Sequence, residues 1–272
     1  MIRQGMRRFK KGNGGCMDIK ILVIGHKEFD LPKKDGYRRM IVGSNKDSFC
    51  RKSDLRDDTE QNISEKNLYY SELTAIYWAW KNLTIDAIGV VHYRRFFMSE
   101  RNQKKLISTE EIQDILTRVP VILPKKRHYF IETTWTQYKH AHHIEDLEKV
   151  RKEIEKHYPD DLPAFDSVMK KKSGHRFNMF IMKKEEFSAY CEWLFKILGE
   201  VEEVIPYKTY DAYNQRVFGF LSERLLDVWL IARTVAYKEI PYKFTEKQNW
   251  LKKGWNFIYR KFSGKRRVKS NL

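Results

Sequence analysis

The sequence predicts an α/β fold, with a mostly parallel central sheet flanked by helices. Three observations carry that expectation. Strand-like and helix-like segments alternate along the chain. Ala87-Ile88-Gly89-Val90-Val91 is an apolar run too short for a helix and without polar alternation, the pattern of a strand covered on both faces. The first strong strand, Asp18 to Gly25, closes on Gly25-His26-Lys27. That is the position where nucleotide-binding α/β folds make early ligand contacts, although α/β domains that bind nothing begin the same way.

In order, residues 1–17 read as a disordered basic leader containing Gly12, Gly14 and Gly15, with Met17 as an alternative start directly before the first strand. This leader has no apolar core of the signal-peptide kind. After the first strand, residues 30–61 are polar and irregular, with Ile41-Val42-Gly43 as a short strand. Asp54, Asp57, Asp58 and Glu60 form an acidic loop. Asp58-x-Glu60 could supply oxygen ligands to a divalent cation, or the loop could simply be solvated. A helix is expected from Glu65 to Asn82, N-capped by Ser64, with Leu68, Leu73, Ile76, Tyr77 and Trp80 at helical spacing. Glu72 falls on or beside its packing face, where a carboxylate needs a partner or a role.

The buried strand 87–91 then delivers His92-Tyr93-Arg94-Arg95 to its C-terminal end. Ligands of open α/β sheets sit outside the carboxyl ends of strands, and a pair of guanidiniums suits an anion such as a diphosphate. The alternative is a surface turn. A second helix is expected from Ser108 to Arg118, and an edge strand at Val119–Leu123 because of Pro120. His140, His142 and His143 invite a metal reading, but their spacing is not a standard one, and a polar segment lining a substrate cleft fits as well. Further expectations are a charged helix from Glu145 to His157, a strand at Phe177–Met182 with the polar Asn178 inside it, and a helix from Glu185 to Leu198 ended by Gly199. A longer helical region from Tyr210 to Tyr237 carries Arg216, Gly219, Glu223 and Arg224 among its apolar positions.

The formal net charge is +17, but its distribution argues against nucleic acid as the partner. Five cations lie in residues 1–17 and eight in 250–272, neither segment with an acidic residue. Taking those thirteen away leaves +4 for the 232 residues between them. Three widely spaced cysteines (Cys16, Cys50, Cys191) argue against a disulfide framework or a structural zinc site, which together with the absent signal peptide points to the cytoplasm. Residues 250–272 interleave Trp250, Trp255, Phe257, Tyr259 and Phe262 with lysine and arginine. Such a tail can lie on an anionic membrane surface; the alternative is a disordered solubilising tail. The expected organisation is therefore a leader (1–17), one globular domain (18–249) and a membrane-surface tail (250–272).

The ordered series NIS-x-KN, ELTAIYWAWKN, IGVVHYRRFF, H-x-x-N-MFIM and R-x-x-GFLSERL resembles the bacterial DUF4422 family from about Lys20 to Asn249. Its members are linked to capsular and exopolysaccharide synthesis and regarded as glycosyltransferases. The resemblance implies a GT-A-like fold with a Rossmann-type nucleotide half. It also implies transfer of a sugar, from a UDP-linked donor of galactose or galactofuranose type, to a lipid-linked glycan at the inner face of the membrane; the alternatives are a nucleic-acid-binding protein and a catalytically inactive scaffold of a polysaccharide assembly complex. Many GT-A enzymes hold the donor through Asp-x-Asp and a metal; here His92, Tyr93, Arg94 and Arg95 stand in its place. No metal is required by the motif, although manganese or magnesium could still take part. The implied roles follow. His92 to Arg95 bind the diphosphate; Gly25, His26, Asn62, Ser64 and Asn67 bind the nucleotide; His142, His143, Asn178 and Arg216 bind the acceptor. Glu223, then Asp211, then Glu72 are the candidates for general base, with an ion pair to Arg224 as the plain alternative for Glu223.

Overall fold

The computed structural model describes residues 15–43, 46–129 and 131–245. Residues 1–14 of the expected leader, the last four residues of the expected domain (246–249) and the whole of the expected tail (250–272) lie outside them.

Among the described residues strands and α-helices follow one another along the chain: β1 (Ile19–Gly25), β2 (Tyr37–Ile41), β3 (Leu55–Arg56), α1 (Asn67–Tyr70), α2 (Leu73–Asn82), β4 (Ala87–His92), β5 (Arg95–Phe97), α3 (Thr109–Leu116), β6 (Val121–Pro124), β7 (Arg127–His128), α4 (Thr134–Ala141), α5 (Ile144–His157), α6 (Leu162–Lys170), β8 (Ser173–Gly174), β9 (Phe180–Lys183), α7 (Lys184–Val204), α8 (Val217–Ala232), β10 (Tyr237–Ile240) and β11 (Tyr242–Phe244). The main sheet runs β10-β6-β9-β4-β1-β2-β3. All its neighbours are parallel except β9, which is antiparallel to both β4 and β6.

Period-two alternation divides the central strands between two cores. Leu22 and Ile24 of β1 and Ile88 and Val90 of β4 pack with α2 and α5–α8. Ile21 and Val23 of β1 and Ala87 and Val91 of β4 pack with α3. This double burial is why β4 reads as a continuous apolar run. Gly89 is needed there, since a Cβ would stand 3.0 Å from Ile21 Cγ1 and 3.3 Å from Ile181 Cγ1.

Several boundaries differ from the sequence expectation. Ser64 does not cap a helix: it opens a 3₁₀ turn (Ser64–Lys66) that has no side-chain cap. The expected single helix is broken at Ser71, whose φ is 52°, and the Asn67 amide instead donates to Ser71 O and Thr74 Oγ1. The break turns Leu68 outward, to 55% exposure. β6 is interior, between β10 and β9, not an edge. Pro120 precedes it and supplies only a carbonyl, which accepts from Lys183 N–H at 3.0 Å, so its missing donor falls outside the ladder. α7 runs through Gly199 to Val204 because Ile197, Leu198 and Val201 are buried there. The strand expected from Phe177 starts at Phe180, because Phe177 (φ 80°) and Asn178 (φ 48°) are both left-handed. The long final helix is α8 alone; after the left-handed Thr234 the chain adds β10 and then β11, which pairs antiparallel with β5.

Candidate active site

Ile24 pairs with His92, so the C-terminal ends of β1 and β4 lie side by side. The His26 ring lies 6.5 Å from His92 and edge-on to Tyr93 at 5.9 Å. Tyr93 and Arg94 form a two-residue turn from β4 into β5, where His92 pairs with Arg95. His92-Tyr93-Arg94-Arg95 is thus a turn, but one folded into the site: Tyr93 is buried, and the other three are partly so. The Arg94 N–H donates to His92 Nδ1 at 3.3 Å. Burial, then the nearby Arg95 and Arg94 guanidiniums, push the His92 imidazole down to about 3. Burial, Arg94, Arg216 and Lys27 lower His26 as well. Both imidazoles are neutral at pH 7, and the charge at this end of the sheet is carried by arginine and lysine. Arg216 is held to the site by its Nε–H to Ser71 Oγ, at 3.1 Å.

Two carboxylates face these cations. Asn178 is 3% exposed; its amide donates to Glu72 Oε1 at 2.8 Å and to Gly219 O at 3.3 Å, and its carbonyl accepts from Ser222 Oγ at 3.0 Å. Phe177 N–H donates to Glu223 Oε1 at 3.2 Å. Gly219, Ser222 and Glu223 recur at one face of α8, so this helix fixes the left-handed Phe177–Asn178 segment. Burial raises the Glu72 pKa and the Glu223 carboxylate adds to the rise, against the Asn178 hydrogen bond and Arg216. Glu223 does make the ion pair with Arg224 that its sequence suggests, at 3.2 Å. Arg95 senses both carboxylates, yet among the described residues its Nε is buried without a hydrogen-bond partner, as is the Tyr93 hydroxyl. A bound acceptor or an ordered water would satisfy such donors.

The other expected residues are placed as follows. Asn67 sits with His26, since a Cβ on Gly43 would be 3.6 Å from both Asn67 Oδ1 and His26 Cβ. Gly25 is constrained by Phe29, whose ring would collide with a Cβ there. Asn62 and Ser64 close a local turn: Asn62 Oδ1 accepts from Ser64 N–H and Oγ–H, and its amide donates to Glu60 O. Asp211 likewise caps a turn, accepting from Tyr213 N–H, Asn214 N–H and the Asn214 amide. His142 is 5% exposed, packed against Phe220 at 4.1 Å, and His143 stacks on Tyr210 at 4.2 Å. His140 pairs with Glu132, so the three histidines take three separate partners rather than one ligand sphere. Sequence reasoning passed over Phe177 and Phe244, which only the tertiary fold brings to Arg95, and Ser222, which meets Asn178 only through α8. It also missed the buried network behind them, in which Asp227 holds His175 and Arg176.

The donor set fits a divalent cation poorly at this end of the sheet. Asp58 is forked to Arg56 and paired with Lys46, and Asp57 is taken by Lys46 and Thr74. Among the described residues, Glu153, His157 and Glu200 lie close enough together to share an ion. They stand on α5 and α7, with Lys156 and Lys196 ion-paired to the same carboxylates.

The model of a domain of unknown function, DUF4422, matches residues 20–234. The chain belongs to the DUF4422 family. Among solved structures it is similar to one titled as the apo structure of WbbM, a bifunctional glycosyltransferase. The two share 29% identity at a TM-score of 0.76, over 85% of this chain and 46% of that one. The chain therefore spans about half the length of that protein. No curated protein matches it. The family and the neighbour agree with the mostly parallel α/β architecture expected from the sequence. No helix among the described residues is long and apolar enough to cross a membrane.

Proposed function

We propose that this chain is a nucleotide-sugar-dependent glycosyltransferase whose donor diphosphate binds at the His92–Arg95 turn. The observation that carries the reading is the convergence of Arg94, Arg95 and Arg216 on two neutral imidazoles at the C-terminal ends of β1 and β4, opposite Glu72 and Glu223. A leaving nucleoside diphosphate gains negative charge as the glycosidic bond breaks, and fixed guanidiniums stabilise that charge without reorganising. Neutral imidazoles donate or accept beside it without adding to the like-charge repulsion among the arginines. Glu72 is the preferred general base for the acceptor hydroxyl: its raised pKa makes it a stronger base than an exposed carboxylate, and Asn178 aims it. Glu223 is second, since Arg224 and Phe177 N–H already engage it. Asp211 is third, because its oxygens are engaged in a turn. Asn67, beside His26, contacts the nucleotide; Arg216 and the aromatic ledge of Tyr213 and Phe220 border the acceptor.

The WbbM likeness supports glycosyl transfer in general; the donor we propose is UDP-linked, of galactose or galactofuranose type, and the acceptor a lipid-linked glycan in capsule or exopolysaccharide synthesis. The basic aromatic tail, residues 250–272, would keep the enzyme at the cytoplasmic membrane face and raise its effective concentration of acceptor. The test is a thermal-shift panel of UDP, GDP, CDP and dTDP, each with EDTA or manganese. Stabilisation by one nucleotide that persists in EDTA and disappears in folded Arg94→Ala and Arg95→Ala proteins is expected. Stabilisation only with manganese would sink the arginine mechanism, and no stabilisation by any nucleotide would sink the reading as a whole.

A further inference from the structure

An arginine that must meet a diphosphate has to be held in place without being neutralised. Arginine loses much rotamer freedom when fixed, and a carboxylate partner would occupy the donors the ligand needs. Arg95 meets both conditions in an unusual way. Among the described residues no carboxylate stands within ion-pair distance of it; instead its guanidinium lies 4.1 Å from the centroid of Phe177 and 5.4 Å from that of Phe244. The two rings are 6.0 Å apart and nearly perpendicular, at 83°. Ring faces attract the cation while leaving its N–H edge open, which is the edge that binds phosphate oxygens.

Both rings are fixed by backbone. Phe177 is turned by its left-handed φ of 80°, and its N–H is tied to Glu223. Phe244 lies directly opposite Arg95 in the β11–β5 ladder. The ladder bonds from Thr245 N–H to Arg94 O and from Met98 N–H to Pro241 O set the alternation, so Phe244 and Arg95 form a non-hydrogen-bonded pair, the kind whose side chains approach most closely. Thr245 Oγ–H adds a bond to Tyr93 O, at 3.3 Å, so β11 binds the turn as well as covering it.

We infer that Phe177 and Phe244 are positioning residues, an aromatic clamp that presents Arg95 to the donor diphosphate, and that β11 completes the donor site. This rests on the glycosyltransferase reading. It adds that the strand immediately before the basic tail, more than 140 residues away in sequence from the turn it closes, tunes affinity for the diphosphate.

The experiment titrates UDP and UMP calorimetrically into the full chain (or GDP and GMP, if guanine is the base the wild type takes). It compares wild type with Phe244→Leu, Phe244→Tyr, Phe177→Leu and Arg95→Ala. Phe244→Leu and Phe177→Leu are each expected to weaken UDP roughly fivefold while leaving UMP nearly unchanged, and Phe244→Tyr to keep wild-type affinity because its ring face remains. If Arg95→Ala loses UDP but both leucine variants bind it normally, the clamp is refuted and the donor site stands. A parallel loss of UDP and UMP that follows a drop in apo melting temperature would also refute it, as a packing effect. Failure of the wild type to bind any nucleotide, or an Arg95→Ala protein that binds as wild type, would overturn the donor-site reading itself.

Discussion

Asp227→Ala tests whether the candidate site depends on the buried network behind it. Asp227 is 7% exposed and serves three donors: His175 Nδ1 at 2.5 Å, His175 N–H at 3.0 Å and Arg176 Nη1 at 3.4 Å. Its partners are 1% and 3% exposed, so they depend on the carboxylate rather than on bulk solvent. Removing one member of a buried, hydrogen-bonded charge network costs about 3–5 kcal/mol. Part of the loss is cushioned. Arg176 keeps the Tyr129 hydroxyl, His175 O and Thr134 Oγ1 as acceptors, and His175 keeps Glu239 through Nε2. The lower end, about 3 kcal/mol, is therefore expected, equivalent to a fall in Tm of roughly 6–12 °C for a chain of this size. Urea unfolding followed by circular dichroism and tryptophan fluorescence gives the number, with Asp227→Asn as control. The asparagine keeps one acceptor oxygen and should lose about half as much. A loss below about 1 kcal/mol for the alanine variant would show that water or a rearranged Glu239 takes over, and that the 175–178 segment is not anchored by α8 in the way described.

Three further outcomes follow from the same geometry. Asn178→Gly keeps a residue that tolerates φ 48° but removes the amide that lowers the Glu72 pKa against burial. That pKa then rises, the base is lost at higher pH, and the acid limb of kcat/KM against pH moves up by about one pH unit; an unmoved limb would remove Glu72 from the mechanism. Glu72→Gln should abolish transfer yet raise Tm. Because burial lifts the folded pKa above the unfolded one, the ionised carboxylate costs stability above that range, and the neutral amide still accepts from Asn178. A lowered Tm would refute this. Gly89→Ala forces a Cβ to 3.0 Å from Ile21 and should cost about 1–3 kcal/mol in urea unfolding, whereas a neutral result would mean that Ile21 yields freely.

The sequence by itself determined the elements whose signal is local and strong. β4 was legible as a doubly buried apolar run, β1 as the strand that closes on Gly25-His26-Lys27, α3 from its Ser108 cap, and α5 from its charge pattern and the Tyr158-Pro159 break. The location of the His92–Arg95 cluster was legible too, because parallel strands present their C-terminal ends to ligands whatever surrounds them. Local signals failed where long-range contacts outweigh them. Gly199 did not stop α7, since the helix is carried by buried Ile197, Leu198 and Val201; Pro120 did not make β6 an edge, since its missing donor lies outside the ladder. Asn178 looked like a polar residue inside a strand but is a left-handed residue before it, held by three groups from α2 and α8 that no spacing rule connects. The proposed order of Glu72 ahead of Asp211 rests on tertiary structure alone, since the burial that strengthens one and the turn that occupies the other are properties of packing. The clamp on Arg95 lies furthest from the sequence's reach. It joins residues 95, 177 and 244, which share neither a motif nor a period, and a sheet ladder can bring such positions together at a loop-closure cost that grows only slowly with their separation.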